Sequence, residues 1–168
     1  MRVEGNFTWD LLVRNLEEQT ALYSTLLETL QSENKCLINH KVSELSVVIN
    51  KKDKINEDVA DKQYEMKRIT DGIVISNEEY ISIEKITELS PLSYKFIFVN
   101  LHKQLKEIGA AIYKYNYMNK MLIENSMKYI SSMMKKIMEI NSEEQTVYCN
   151  RGYKKLLGEE QNFMSIVA

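Results

Sequence analysis

Proline and glycine are nearly missing from this chain: 168 residues hold 1 Pro and 5 Gly. So few turn residues exclude a multi-stranded sheet, whose hairpins need them at short intervals. Cysteine is as sparse. Cys36 and Cys149 stand far apart, too few for a disulfide framework or a zinc site. No uncharged apolar run approaches the ~20 residues that span a bilayer. Glu4 and Asp10 lie close to Met1 with no apolar stretch beside them, which predicts no secretory signal. These absences predict an all-α protein of a reducing cytoplasm, without membrane insertion.

Catalytic groups are missing too. The two histidines, His40 and His102, stand apart from any Cys or carboxylate at metal-ligand spacing. No glycine-rich phosphate loop and no nucleophile elbow occurs. The carboxylates fall on charged helix faces, where solvation explains them. The sequence therefore predicts no enzyme, no cofactor and no metal.

What the chain has in abundance is helical periodicity. Ser90-Pro91 reads as a helix start, Ser as the cap and Pro at the first position. Beyond it Tyr94, Phe98, Leu101, Leu105, Ile108, Ile112 and Tyr115 recur at alternating steps of four and three, and Asn119, Leu122, Ser126, Tyr129 and Met133 continue the ladder. That is the seam of a helix lying along other helices. A rod of ~50 residues is roughly 75 Å long. Asn119 and Ser126, polar residues on the seam, are expected to set register at some cost in stability.

An earlier helix is predicted from about Phe7 to Ile38, with Thr8 as its cap and Trp9, Leu12, Leu16, Gln19, Tyr23, Leu26 and Leu30 on one face. Asn39-His40-Lys41 breaks the pattern, and Ser43 reads as the cap of a second helix in an antiparallel hairpin. The second seam runs through Leu45, Val48, Lys52, Ile55, Val59, Lys62, Met66 and Ile69 to Asp71-Gly72. Its two lysines are expected to bury their stems and keep the ammonium wet. Ile73-Val74-Ile75 is a short run able to cover a bundle end, and Asn77 reads as the start of a short helix carrying Ile81, Ile86 and Leu89. The expected architecture is an elongated antiparallel coiled-coil-like bundle of three long helices and one short one over residues 1–140, followed by an amphipathic tail over 141–168.

Charge is unevenly spread. Residues 1–90 carry 11 Lys and Arg against 17 Asp and Glu, whereas residues 91–140 carry 8 against 3. A basic helix beside two acidic ones accounts for this. The lysines are scattered and no arginine joins them, which argues against a nucleic-acid partner.

The longest helix should outrun the others by roughly 25 Å at 1.5 Å per residue, and there the composition changes. Six of the nine methionines fall between Met118 and Met138. Methionine is flexible and polarizable, suited to partners whose side chains vary. Met127, Ile130, Met134, Ile137 and Met138 are the candidate partner face. In the tail Tyr153, Leu156, Leu157, Phe163, Met164 and Val167 approach helical spacing, a segment able to dock on its own bundle or on another protein.

Three stretches carry a family resemblance. One is Leu37-Ile38-Asn39-His40-Lys41-Val42 followed by Leu45 and Lys51-Lys52. Another is Tyr117-Met118-Asn119-Lys120-Met121-Leu122-Ile123-Glu124-Asn125-Ser126 leading to Tyr129-Ile130. The last is Tyr148 with Gly152. Together they resemble the FlgN family of flagellar export chaperones. The resemblance implies a cytoplasmic chaperone that binds the C-terminal helical region of hook-associated (hook–filament junction) proteins, prevents early assembly and presents them to the type III export gate without ATP. It also implies a role for Tyr148 and the following tail in contacting cargo or the gate. The alternative reading is a structural coiled-coil module that tethers or oligomerises, giving its methionine face to a second copy.

Overall fold

The computed structural model describes residues 3–71 and 82–144; Ile73-Val74-Ile75, Asn77, Ile81 and the tail beyond Glu144 lie outside the described residues. Four helices follow in order: α1 (Val3–Ile38), α2 (Val42–Asp71), α3 (Ile83–Leu89) and α4 (Leu92–Glu144). The chain is all-α, with three long helices and one short one, as its periodicity predicts. It divides into two compact units, Met1–Ile123 and Glu124–Ala168.

In the first unit α1 and α2 form the expected antiparallel hairpin. No glycine makes the turn. His40 takes the left-handed conformation instead (φ 55°), a region where His is tolerated better than most side chains. The Lys41 N–H donates to Cys36 O (3.0 Å) and the His40 N–H to Leu37 O (3.4 Å), the double bond of a Schellman cap. A left-handed L-residue costs roughly 1–2 kcal/mol, part of which glycine's extra unfolded-state freedom cancels. His40→Gly is therefore expected to stabilise the hairpin by up to ~1 kcal/mol, read as a higher urea midpoint; a lower midpoint would contradict this account of the turn.

Helix starts differ from expectation in four places. Thr8 lies inside α1, because nothing before it interrupts a helix. Ser43 lies inside α2, whose first turn closes two residues earlier, with the Leu45 N–H on Lys41 O (3.0 Å). The short helix begins after Ser82, whose Oγ accepts from the Lys85 N–H (3.3 Å). Ser90 does not cap α4. Its extended backbone (ψ 149°) is what a following proline demands, and its hydroxyl donates back to Thr87 O (2.8 Å). The carbonyl of Pro91 accepts from the Tyr94 and Lys95 N–H groups as α4 starts.

Two apolar clusters hold this unit together. Near the start of α1 and α4, Leu12, Leu16, Ile86, Phe98 and Leu101 are buried, with Trp9, Met66, Ile69 and Tyr94 against them. Further along, Leu26, Leu30, Ile55 and Val59 are buried against Leu22, Tyr23, Ile112 and Tyr115. The predicted ladders of all three long helices supply nearly all of these residues. Contacts pair Trp9 with Phe98 and Asn34 with Asn119, so α4 runs parallel to α1 and antiparallel to α2. The Tyr94 hydroxyl donates to Asp10 Oδ1 (2.7 Å), and that bond raises its pKa.

Polar groups form two layers, one between these clusters and one beyond the second. Gln19 donates to Asn15 Oδ1 (2.7 Å), and Asn15 donates to Lys62 O and Glu65 Oε2 (3.2 Å each). In the second layer Asn34 donates to Asn119 Oδ1 (2.8 Å), while Asn119 Nδ2 donates to Leu30 O (3.0 Å) and Glu33 Oε2 (2.9 Å). Lys52 from α2 completes it by donating to Glu33 Oε1 (2.5 Å). Among the described residues no buried side-chain nitrogen or oxygen lacks a partner. The seam lysines thus do more than reach water. Lys52 pairs with a buried carboxylate, and Lys62 bridges Glu18 (2.6 Å) and Glu65 (2.8 Å). Hydrogen bonds from Lys62 and then Arg14 hold the Glu18 carboxyl below its usual pKa.

Candidate partner-binding face

The ladder of α4 is covered only in part. Phe98, Leu101 and Asn119 are buried and Leu122 is half-buried, but from Asn125 to Glu139 every described side chain is exposed. The reason within the first unit is length. Asn34 stands level with Asn119, and α1 has only four helical residues left, Lys35 to Ile38.

Met127, Ile130, Met134, Ile137 and Met138 are all among these exposed residues, between 50% and 65% accessible. Ladder positions expected in the core join them. Ser126, Tyr129 and Met133 are exposed, which corrects the reading of Ser126 as a buried register residue. At ~100° per residue, the apolar side chains from Ile123 to Met138 and Tyr129 fill one continuous half of the helix. The other half carries Glu124, Asn125, Lys128, Ser131, Ser132, Lys135, Lys136 and Glu139. The signal for Tyr129 and Met133 was in the sequence, since both belong to the α4 ladder. Among the described residues no helix covers them, which makes them part of a surface. Tyr148, Tyr153, Leu156 and Leu157 lie outside the described residues.

The side chains of this face offer apolar area without a charge on the same side, and its four methionines are flexible enough to repack. Among the described residues no group of His, Cys, Asp and Glu is arranged to hold a metal, and no described helix is long and apolar enough to cross a membrane.

The FlgN protein family model matches residues 8–155, which takes in the bundle, the exposed face and part of the tail. The chain belongs to the FlgN family. No curated protein and no solved structure gives a significant match. FlgN proteins are a flagellar export chaperone family. The match takes in the part of α4 on which the exposed apolar side chains lie.

Proposed function

We propose that this FlgN-family chain is a cytoplasmic chaperone for hook-associated proteins, binding their C-terminal helical region on Met127, Ile130, Met134, Ile137 and Met138. The bound segment is kept from assembling early and is delivered to the flagellar export gate. The observation that supports this reading is the continuous exposed apolar half of α4 beyond Ile123, lined with methionine. An amphipathic cargo helix laid on it exchanges two wet apolar faces for one dry interface. Tyr148, Tyr153, Leu156 and Leu157, which follow in sequence, are the further residues proposed to contact cargo or gate.

Calorimetric titration with C-terminal segments of hook-associated proteins from the same source tests the proposal. Saturable binding is expected, and Met134→Glu should abolish it by placing a charge in the interface, with helicity unchanged by circular dichroism. Absence of binding to every such segment by the folded protein would sink the chaperone reading. A stable homodimer dispersed by Met134→Glu would favour the structural module.

A further inference from the structure

The most exposed large apolar residues described are not on the methionine face. They are Leu92 and Phe96, at 90% and 81%, and they belong to the first unit. From Leu92 a second stripe runs along α4, with Phe96, Val99, Lys103 and Lys106 following at alternating steps of four and three. Ala110, Tyr113 and Tyr117 continue the same spacing, and each of these positions is exposed. The stripe is displaced by two residues from the core ladder, roughly 200° around the helix, so most of it points away from the core, with Phe96 at its edge bordering Glu17 and Thr20 of α1. Single apolar side chains on a surface are ordinary. A heptad-spaced line of them is a seam without its second helix.

The middle of this seam states the partner's chemistry. No carboxylate occurs between Leu92 and Lys106, and among the described residues Lys103 has no ion-pair partner, while Lys106 has only the longer-range attraction of Glu84. A lysine at a seam position covers its partner with an apolar stem and selects an acidic group with its head. A second copy of the stripe fails this requirement, because a two-fold pairing would set Lys103 and Lys106 against the same lysines of the other copy. We infer that the stripe from Leu92 to Tyr117 is a second docking surface, taking an acidic amphipathic helix of another protein whose carboxylates meet Lys103 and Lys106. Its length, ~37 Å at 1.5 Å per residue, fits a helix of ~25 residues.

The full chain can be titrated with two synthetic helices of that length, both with leucines at heptad positions. One carries a central pair of glutamates on the seam and its twin carries lysines there. The glutamate peptide is expected to bind at least tenfold tighter than the twin at low salt. Lys103→Glu with Lys106→Glu should invert that preference, Phe96→Asp should remove binding of both, and Met134→Glu should leave it unchanged. Equal binding of the two peptides, binding of neither, or binding lost on Met134→Glu would overturn the inference. So would a self-associated protein, by sedimentation, that Phe96→Asp renders monomeric. Because Met134 lies outside this stripe, failure here leaves the chaperone reading untouched, and the reverse also holds.

Discussion

Phe98→Ala is expected to destabilise the bundle by about 3–5 kcal/mol, the usual cost of removing a buried aromatic side chain. Phe98 is fully buried in the cluster where all four described helices meet. Leu12 and Leu16 approach it from α1, Ile86 from α3 and Leu101 from its own helix. Trp9 meets it edge-on at 6.1 Å between ring centroids, and Tyr94 lies tilted at 6.4 Å. An edge contact of this kind adds about 0.5–1.5 kcal/mol beyond the area buried. Tyr94 is not free to refill the space, because its hydroxyl is tied to Asp10. The chain's single tryptophan is Trp9, so its fluorescence reports this cluster during urea unfolding. A loss below ~1.5 kcal/mol, the size of a mild core swap, would show that the cluster contributes little.

The second large effect concerns the polar layer. Asn119→Leu alone is expected to cost about 2–4 kcal/mol, because it strands partners that stay buried. Glu33, Asn34 and Asn119 are all under a tenth exposed. Removing the Asn119 amide takes the acceptor of Asn34 and a donor of the Glu33 carboxylate, leaving Lys52 as the remaining side-chain partner of Glu33. Leucine in all three positions, with Lys52→Leu, should recover most of that loss, since no buried polar group then lacks a partner. The signature is this asymmetry: the single substitution is worse than the fourfold one. The polar layer costs stability and specifies alignment, so the all-leucine variant is expected to populate more than one helix register or oligomer in sedimentation. A fourfold variant no more stable than the single one would refute the argument.

These two sites show how far the residues alone reach. Phe98 and its partners were legible because all obey one rule, an apolar residue every three or four positions on a helix that must bury one side. The hairpin was legible from a break in that rule at Asn39-His40-Lys41. Its mechanism was not, since the left-handed His40 depends on carbonyls of the preceding turn. The polar layer was half legible. Asn119 stood out as an amide on the ladder, but its answering groups came from α1 and α2. Glu33 falls on the α1 ladder three residues after Leu30, where a carboxylate invites a buried cation. The Lys52 that supplies it became identifiable only once α2 was folded back alongside.

The exposed surfaces divide in the same way. Composition by itself determined that residues 118–138 are rich in methionine and that α4 is basic where residues 1–90 are acidic, and periodicity determined which side chains share a face. Neither could say where the ladder stops being covered, because coverage is set by where α1 and α2 end relative to α4. That alignment rests on Trp9 against Phe98 and Asn34 against Asn119, contacts between residues far apart in the chain. Ser126, Tyr129 and Met133, expected in the core, are exposed. The outward stripe at Leu92 and Phe96 is exposed as well. Local sequence decides that a helix forms and which side is apolar; only the register between helices decides which part of that side meets water.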